Sequence, residues 1–258
     1  MPMLEPPPAL DLRPPARGAH AKVSLRLADH DAMYAGNAKH YLECGASALS
    51  VIHAATVLGG VRVGSVLDFG AGAGRVTRWL RAQWPMARLA ATDLRGADLE
   101  FCAAEFGCDT WLSGTDIATL AAPRRYDVIW AGSVLTHLAA PVAEALLAKL
   151  LSWTRPGGIV VASLHGRRVA ARGAAHEFYG LGVARWAALH AEHAAGAPYA
   201  YADYPETPGY GISLTHPAWA AGLTERLEGA RLVLLGERLW DDHHDVVALR
   251  RQETVTGQ

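Results

Sequence analysis

The sequence predicts an α/β fold, a mostly parallel sheet with helices on both faces. Three observations carry this. Short apolar runs alternate with segments of helical periodicity. The run SVLDF (Ser65 to Phe69) feeds directly into the glycine loop GAGAG, as a buried strand does when it delivers the chain to a sheet edge. Near the end, RLVLLGERL (Arg231 to Leu239) and DVVALRR (Asp245 to Arg251) are joined by only a short loop, so this pair is expected to be antiparallel.

In chain order, Asn37 to Leu58 has helical spacing, with Gly45 its weak point and Gly59-Gly60 its stop. After the glycine loop, Val76 to Trp84 reads as a helix halted by Pro85. Ala87 to Asp93 reads as a strand, Ala97 to Phe106 as a helix and Asp109 to Leu112 as a short strand. Tyr126 to Gly132 is a further strand, and Pro141 to Trp153 a helix with proline in its first turn. Pro156-Gly157-Gly158 then turns the chain into the strand GIVVASL, which ends near His165. Beyond Gly166 the alternation breaks. Five of the eight tyrosines fall between Tyr179 and Tyr210, and an insertion over about 166–215 is expected, with one helix from Glu177 to Glu192. Pro217 to Leu227 returns to helical spacing. Residues 34–258 are thus expected to form one domain, preceded by a proline-rich arm over 1–33.

Composition narrows the function. With 258 residues, 51% hydrophobic and 19% charged, the chain has enough apolar content for a sizeable core. A formal net charge of -1 without a basic run argues against nucleic acid as a partner. No uninterrupted apolar run approaches the roughly 20 residues that span a bilayer, so no membrane is expected. Cys44, Cys102 and Cys108 form neither a CxxC pair nor a disulfide framework, which suits a reducing, cytoplasmic setting.

Glycines at the carboxyl edge of a parallel sheet let a ligand approach the backbone closely. Gly70, Gly72 and Gly74 give GxGxG, with Ala71 inside the loop; a dinucleotide fingerprint needs glycine where Arg75 stands. Asp68 just before the loop would repel a pyrophosphate and suit a cationic amino-acid ligand. This disfavours an NAD-dependent oxidoreductase and favours an aminoacyl nucleoside. Asp93, followed by Leu94, ends the second strand where a carboxylate can accept ribose hydroxyls. Asp116 and Ile117 in GTDI can flank an adenine, the carboxylate on the exocyclic amine and the isoleucine on the ring face; Asp116 is equally suited to capping the next helix.

The segments VLDFGAGAGRVTRWL, ATDL, GTDI, YDVIWAGSVLTHL and RPGGIVVASLHG, in this order and spacing, resemble the successive motifs of class I S-adenosylmethionine-dependent methyltransferases. The resemblance covers about Val61 to His165. It implies a Rossmann-like, seven-stranded, mostly parallel sheet with an antiparallel last strand and an insertion after the fifth strand. It also implies S-adenosylmethionine as cofactor, S-adenosylhomocysteine as product and a small-molecule acceptor. By the same resemblance Asp68 lies near the cofactor amino group or the loop, Asp93 on the ribose and Asp116 beside adenine. Gly132 and Ser133 line the methionine part, and Tyr34 and Tyr41 belong to a segment closing over the cofactor.

Methyl transfer to a hydroxyl needs a base to take the proton, and histidine is suited to it. Four are candidates: His137 after the fourth strand, His165 ending the fifth, and His243 and His244 in WDDHHD. The last two reach the carboxyl edge only if the last strand is antiparallel. Tyr204, Tyr210 and Trp219 are candidate acceptor contacts. No metal is expected, because metal-dependent relatives carry carboxylates where this chain has Ala131 and Gly132. The expectation is O-methylation of a small molecule or saccharide; the alternative is a non-catalytic cofactor-binding scaffold.

Overall fold

A computed structural model of the chain describes residues 22–173 and 179–252. The first helix, α1 (Ala38–Leu58), opens where the Asn37 side chain accepts the His40 N–H, filling one of the free donors of the first turn. The α/β core follows as β1 (Ser65–Phe69), α2 (Thr77–Gln83), β2 (Arg88–Asp93), α3 (Gly96–Phe106), β3 (Asp109–Leu112) and β4 (Tyr126–Ala131). A single 3₁₀ turn (Leu135–His137), α4 (Ala140–Trp153) and β5 (Thr154–Leu164) complete it.

The insertion holds α5 (Arg167–Ala170), α6 (Val183–Ala194) and the hairpin β6 (Tyr199–Tyr204) and β7 (Thr207–Thr215). Its helix begins at Val183, later than the expected Glu177, because Gly180 and Gly182 carry positive φ that a helix cannot include; the expected first turn at 177–178 lies outside the described residues. The chain closes with α7 (Pro217–Ala221), α8 (Leu223–Arg226), β8 (Ala230–Trp240) and β9 (His244–Arg251).

The seven-stranded sheet runs β3-β2-β1-β4-β5-β9-β8. Its first five strands are parallel, and β9 is antiparallel to both β5 and β8. Strand order reverses between β1 and β4, so the crevice for a ligand opens at the carboxyl ends of these strands. All five residues of β1 are buried, as its central place requires. The β5–β9 register sets Leu164 opposite Asp245. The start of β9 therefore lies at that same carboxyl edge, as the antiparallel pairing requires.

Two apolar layers cover the sheet. One joins α1, α2 and α3 through Leu49, Ile52, Trp79 and Phe106; the other joins α4, α7 and α8 through Leu147, Leu150, Trp219 and Leu223. The insertion packs a third, smaller cluster around Trp186, Leu189, Ile212 and Leu214. By length and composition α1 is apolar enough to cross a membrane, contrary to the expectation from uninterrupted apolar runs. It is a core helix, since half of that window is buried and it lies against the sheet.

Of the proline-rich arm, 1–21 lie outside the described residues. The rest, 22–33, is docked on the domain. The buried Arg78 guanidinium donates to the carbonyls of Ser24 and Arg26, and Ser24 donates to Glu105 on α3.

Candidate active site

The glycine loop sits at the crevice. Gly70, Gly72 and Gly74 all have positive φ, and a Cβ on Gly74 would come within 2.3 Å of Phe106; only glycine fits there. The N–H groups of Gly70 and Ala71 donate to the Thr92 carbonyl at the end of β2. Asp93 holds the loop from the other side. One carboxylate oxygen accepts the Gly72 N–H at 2.8 Å and the other the Arg95 N–H at 3.2 Å. Each oxygen keeps a lone pair, and the half-buried side chain still reaches the crevice.

Asp68 lies beneath the loop rather than in it. It is 1% exposed and accepts the Thr77 hydroxyl at 2.7 Å, tying β1 to the start of α2. Burial pushes its carboxyl up to about 7. Asp116 is exposed and accepts the Ala118 N–H, the local turn its position allows. Ile117 packs on the core edge beside it, and Leu94 is exposed. A Cβ on Gly132 would collide with Trp130, and Ser133, at φ 57°, donates its N–H to Ser163 Oγ. Tyr34 meets Tyr41 edge to face. Tyr41 itself is buried and donates its hydroxyl to Asp31 at 2.6 Å, which ties the N-terminal segment to α1.

The four histidines fall into two neighbouring groups. His137, on the 3₁₀ turn, donates from Nδ1 to the Gly211 carbonyl of β7 at 2.9 Å. This fixes the neutral tautomer and leaves the lone pair on Nε2. Burial lowers its pKa, with the Gly211 bond opposing, so the ring is an unprotonated acceptor at neutral pH. Tyr210 stacks on it at 4.9 Å between centroids and Tyr204 lies at 6.1 Å. The Tyr210 phenol has its pKa raised by burial and, less, by the charge of Asp93 at the end of β2.

The second group is built on a hairpin turn. Asp241 and Asp242 take φ of 57° and 50°, and the His243 N–H donates to the Trp240 carbonyl. A tight turn over Asp241 and Asp242 thus lies within the three-residue connection between antiparallel strands, at left-handed positions that aspartate tolerates. The turn is pinned to α1: Trp240 Nε1–H donates to the Cys44 carbonyl, and the Asp241 N–H to Ser47 Oγ. It brings His243 and His244 against the buried His165, with ring centroids 4.6 to 5.5 Å apart. Burial pushes the pKa of all three rings down, those of His165 and His244 well below the ordinary histidine range. His244 stacks on Trp240, which Arg75 of the glycine loop overlies.

Trp219 is corrected. It was expected to touch the acceptor, but it is 6% exposed, packs on Tyr199 and under Arg226, and belongs to the main core. Its helix α7 faces the sheet, so its apolar surface is already covered. Tyr179 escaped the sequence reading. It bonds His243 Nε2 at 2.8 Å across 64 residues; its place among the clustered tyrosines was the one available signal.

Comparison with known proteins agrees with this arrangement. Residues 66–158 match the family model described as a methyltransferase domain. No protein of curated function matches the chain at the sequence level. Among solved structures, the chain is similar to an S-adenosylmethionine-dependent methyltransferase from Clostridium acetobutylicum. That pair has TM-score 0.56 and 11% identity, covering 83% of this chain and 92% of that one. It is also similar to the 1,6-didemethyltoxoflavin-N1-methyltransferase of Burkholderia thailandensis, with TM-score 0.55, 18% identity and coverage of 84% and 80%. A third is the N-methyltransferase NodS of Bradyrhizobium japonicum, with TM-score 0.52, 15% identity and coverage of 93% and 100%. These likenesses show the fold: the described residues have the class I methyltransferase architecture.

Proposed function

We propose that the protein is an S-adenosylmethionine-dependent methyltransferase that methylates an oxygen of a small molecule, with His137 as general base. The observation that carries the reading is that two groups share the carboxyl edge of the parallel sheet. Asp93, which holds the glycine loop, ends β2. The neutral His137, whose Nδ1 is committed to Gly211 and on which Tyr210 stacks, follows β4. Bound S-adenosylmethionine supplies an electrophilic methyl on a good, neutral leaving group. The chain's part is alignment and proton removal. The spare lone pairs of Asp93 hold ribose hydroxyls, and the loop glycines admit the ligand close to the backbone. Tyr204 and Tyr210 present aromatic faces and hydroxyls to the acceptor, and His137 Nε2 takes the hydroxyl proton as the methyl transfers. Proteins of similar fold bear on the cofactor, two having been crystallised with S-adenosylhomocysteine.

Calorimetry with S-adenosylhomocysteine tests the cofactor half. Asp93→Ala should weaken binding about 10- to 100-fold, the range for hydrogen bonds to a charged group. Unchanged affinity removes Asp93 from the ribose. With an acceptor in hand, His137→Ala should lower kcat about 10²- to 10⁴-fold with S-adenosylhomocysteine affinity unaltered. Tight binding of S-adenosylhomocysteine without turnover on any hydroxylated acceptor would favour a non-catalytic scaffold.

A further inference from the structure

We propose that His165, His243 and His244 form a binding site for a single divalent transition-metal ion of the zinc class. One nitrogen from each ring can be chosen so that all three lie within 4.8 Å of one another. Around an ion with Zn–N bonds of about 2.0–2.1 Å, tetrahedral ligands stand about 3.4 Å apart. The rings therefore need to draw in by about an ångström or more. Rotation of the partly exposed His243 side chain supplies that movement, while the turn stays pinned to α1 and His165 is fixed at the end of β5.

A second observation points to a ligand independently of the clustering. Nδ1 of His165 and Nδ1 of His244 are buried with no hydrogen-bond partner among the described residues, and His165 as a whole is 2% exposed. An unsatisfied buried polar atom costs about 1–3 kcal/mol, and two of them belong to this one three-ring cluster. The outer contacts fit the same role. Tyr179 bonds His243 Nε2, the backbone of Ser213 engages His165, and Trp240 stacks on His244. For His243 and His165 this is how metal-binding imidazoles are ordinarily held, one nitrogen on the ion and the other on a protein group.

The donor set selects the ion. Three imidazoles suit zinc, copper, nickel or iron(II), whereas magnesium and calcium prefer oxygen ligands. Three protein ligands leave a fourth position for water or an oxygen of a bound molecule. His137 follows β4 at the same carboxyl edge of the sheet as His165, which ends β5. The charges around the cluster are mixed. Arg172 sits 3.3 Å from His243 Nδ1, and an ion taking that nitrogen displaces it; Asp241 and Asp242 offset the cationic neighbours. The site departs from the expectation of a metal-free enzyme, which rested on Ala131 and Gly132 at the end of β4. The ligands come instead from β5 and the β8–β9 turn.

The test uses the full chain, tag-free and stripped with a chelator, then titrated with Co²⁺ alone under visible absorption. Zn²⁺ follows as competitor, and Mg²⁺ as the ion expected not to bind. One equivalent of Co²⁺ should give a tetrahedral d–d spectrum that Zn²⁺ abolishes. His243→Gln and His244→Gln should each weaken Zn²⁺ binding by at least about tenfold. Circular dichroism confirms that each variant is folded. Absence of the Co²⁺ spectrum together with no Zn²⁺ uptake, or Zn²⁺ affinity unchanged in both variants, overturns the site. S-adenosylhomocysteine affinity measured on the same samples separates this result from the methyltransferase reading, since either can fail alone.

Discussion

At the scale of single residues, the site rests on groups held in unusual protonation states. Asp68 has almost no water around it, and the Thr77 hydroxyl and nearby Arg75 only partly offset that loss. Its folded pKa of about 7 lies above the ordinary 3.8. Between these values the native state keeps a proton that the unfolded chain releases. The stabilisation is complete below about pH 4 and is lost as pH rises through 7. Asn holds the side chain neutral while its amide oxygen still accepts from Thr77. Asp68→Asn should therefore melt above the wild type at pH 8, by about 2–4 °C for each kcal/mol regained, with a smaller advantage at pH 5. Thermal denaturation at the two pH values checks this, and an equal or lower melting temperature at pH 8 rejects it. At this scale the sequence was informative where a residue's place follows from the strand end it occupies, as for Asp93 at the end of β2. It was uninformative where the role depends on which way a side chain faces. Trp219 reads the same in sequence whether it lines a pocket or fills a core, and the contact of Tyr179 with His243 spans 64 residues.

Among the elements, close approach of α1 to α2 decides the shape of the glycine-loop side. Gly45 is the weak point of α1 by propensity, yet the helix runs unbroken through it. The reason is steric. A Cβ there would lie 2.4 Å from the Arg75 carbonyl and 2.5 Å from the Trp79 ring. Two effects oppose each other in Gly45→Ala. Helix propensity favours alanine by about 1 kcal/mol. Overpacking against a backbone carbonyl and a buried indole costs about 1–3 kcal/mol, and a backbone atom cannot swing aside. The variant should lose up to about 2 kcal/mol on balance, read as a lower urea midpoint with unchanged slope. A gain in stability shows that α1 can slide, and removes the steric account. The helix itself was legible from its spacing, and the antiparallel β8–β9 pair from its short loop. That the turn between them is pinned to α1 by Trp240 and Ser47 was not, because nothing local in WDDHHD marks those partners.

For the molecule as a whole, the sides proposed for the acceptor and for the cofactor are built on different cores. The two layers that sandwich the sheet position the loop, Asp93 and β5. The insertion rests on its own cluster, in which the fully buried Trp186 is the largest side chain. Trp186 packs on Tyr179 and His190 and donates from Nε1 to the Gly173 carbonyl, so it also supports the Tyr179 bond to His243. A truncation such as Trp186→Ala costs about 3–5 kcal/mol in a well-packed site. A cluster this small should open at lower free energy than the sheet. The loss should fall on the insertion. Hydrogen exchange should speed up across the described parts of α6, β6 and β7 while β1, β4 and β5 keep their protection. S-adenosylhomocysteine affinity should stay within about twofold, because none of the residues assigned to the cofactor lies in that cluster, and additivity holds for sites without shared partners. Equal loss of protection in the central strands would mean that the insertion and the sheet fold as one cooperative unit. Tuning the acceptor side would then necessarily disturb the cofactor side.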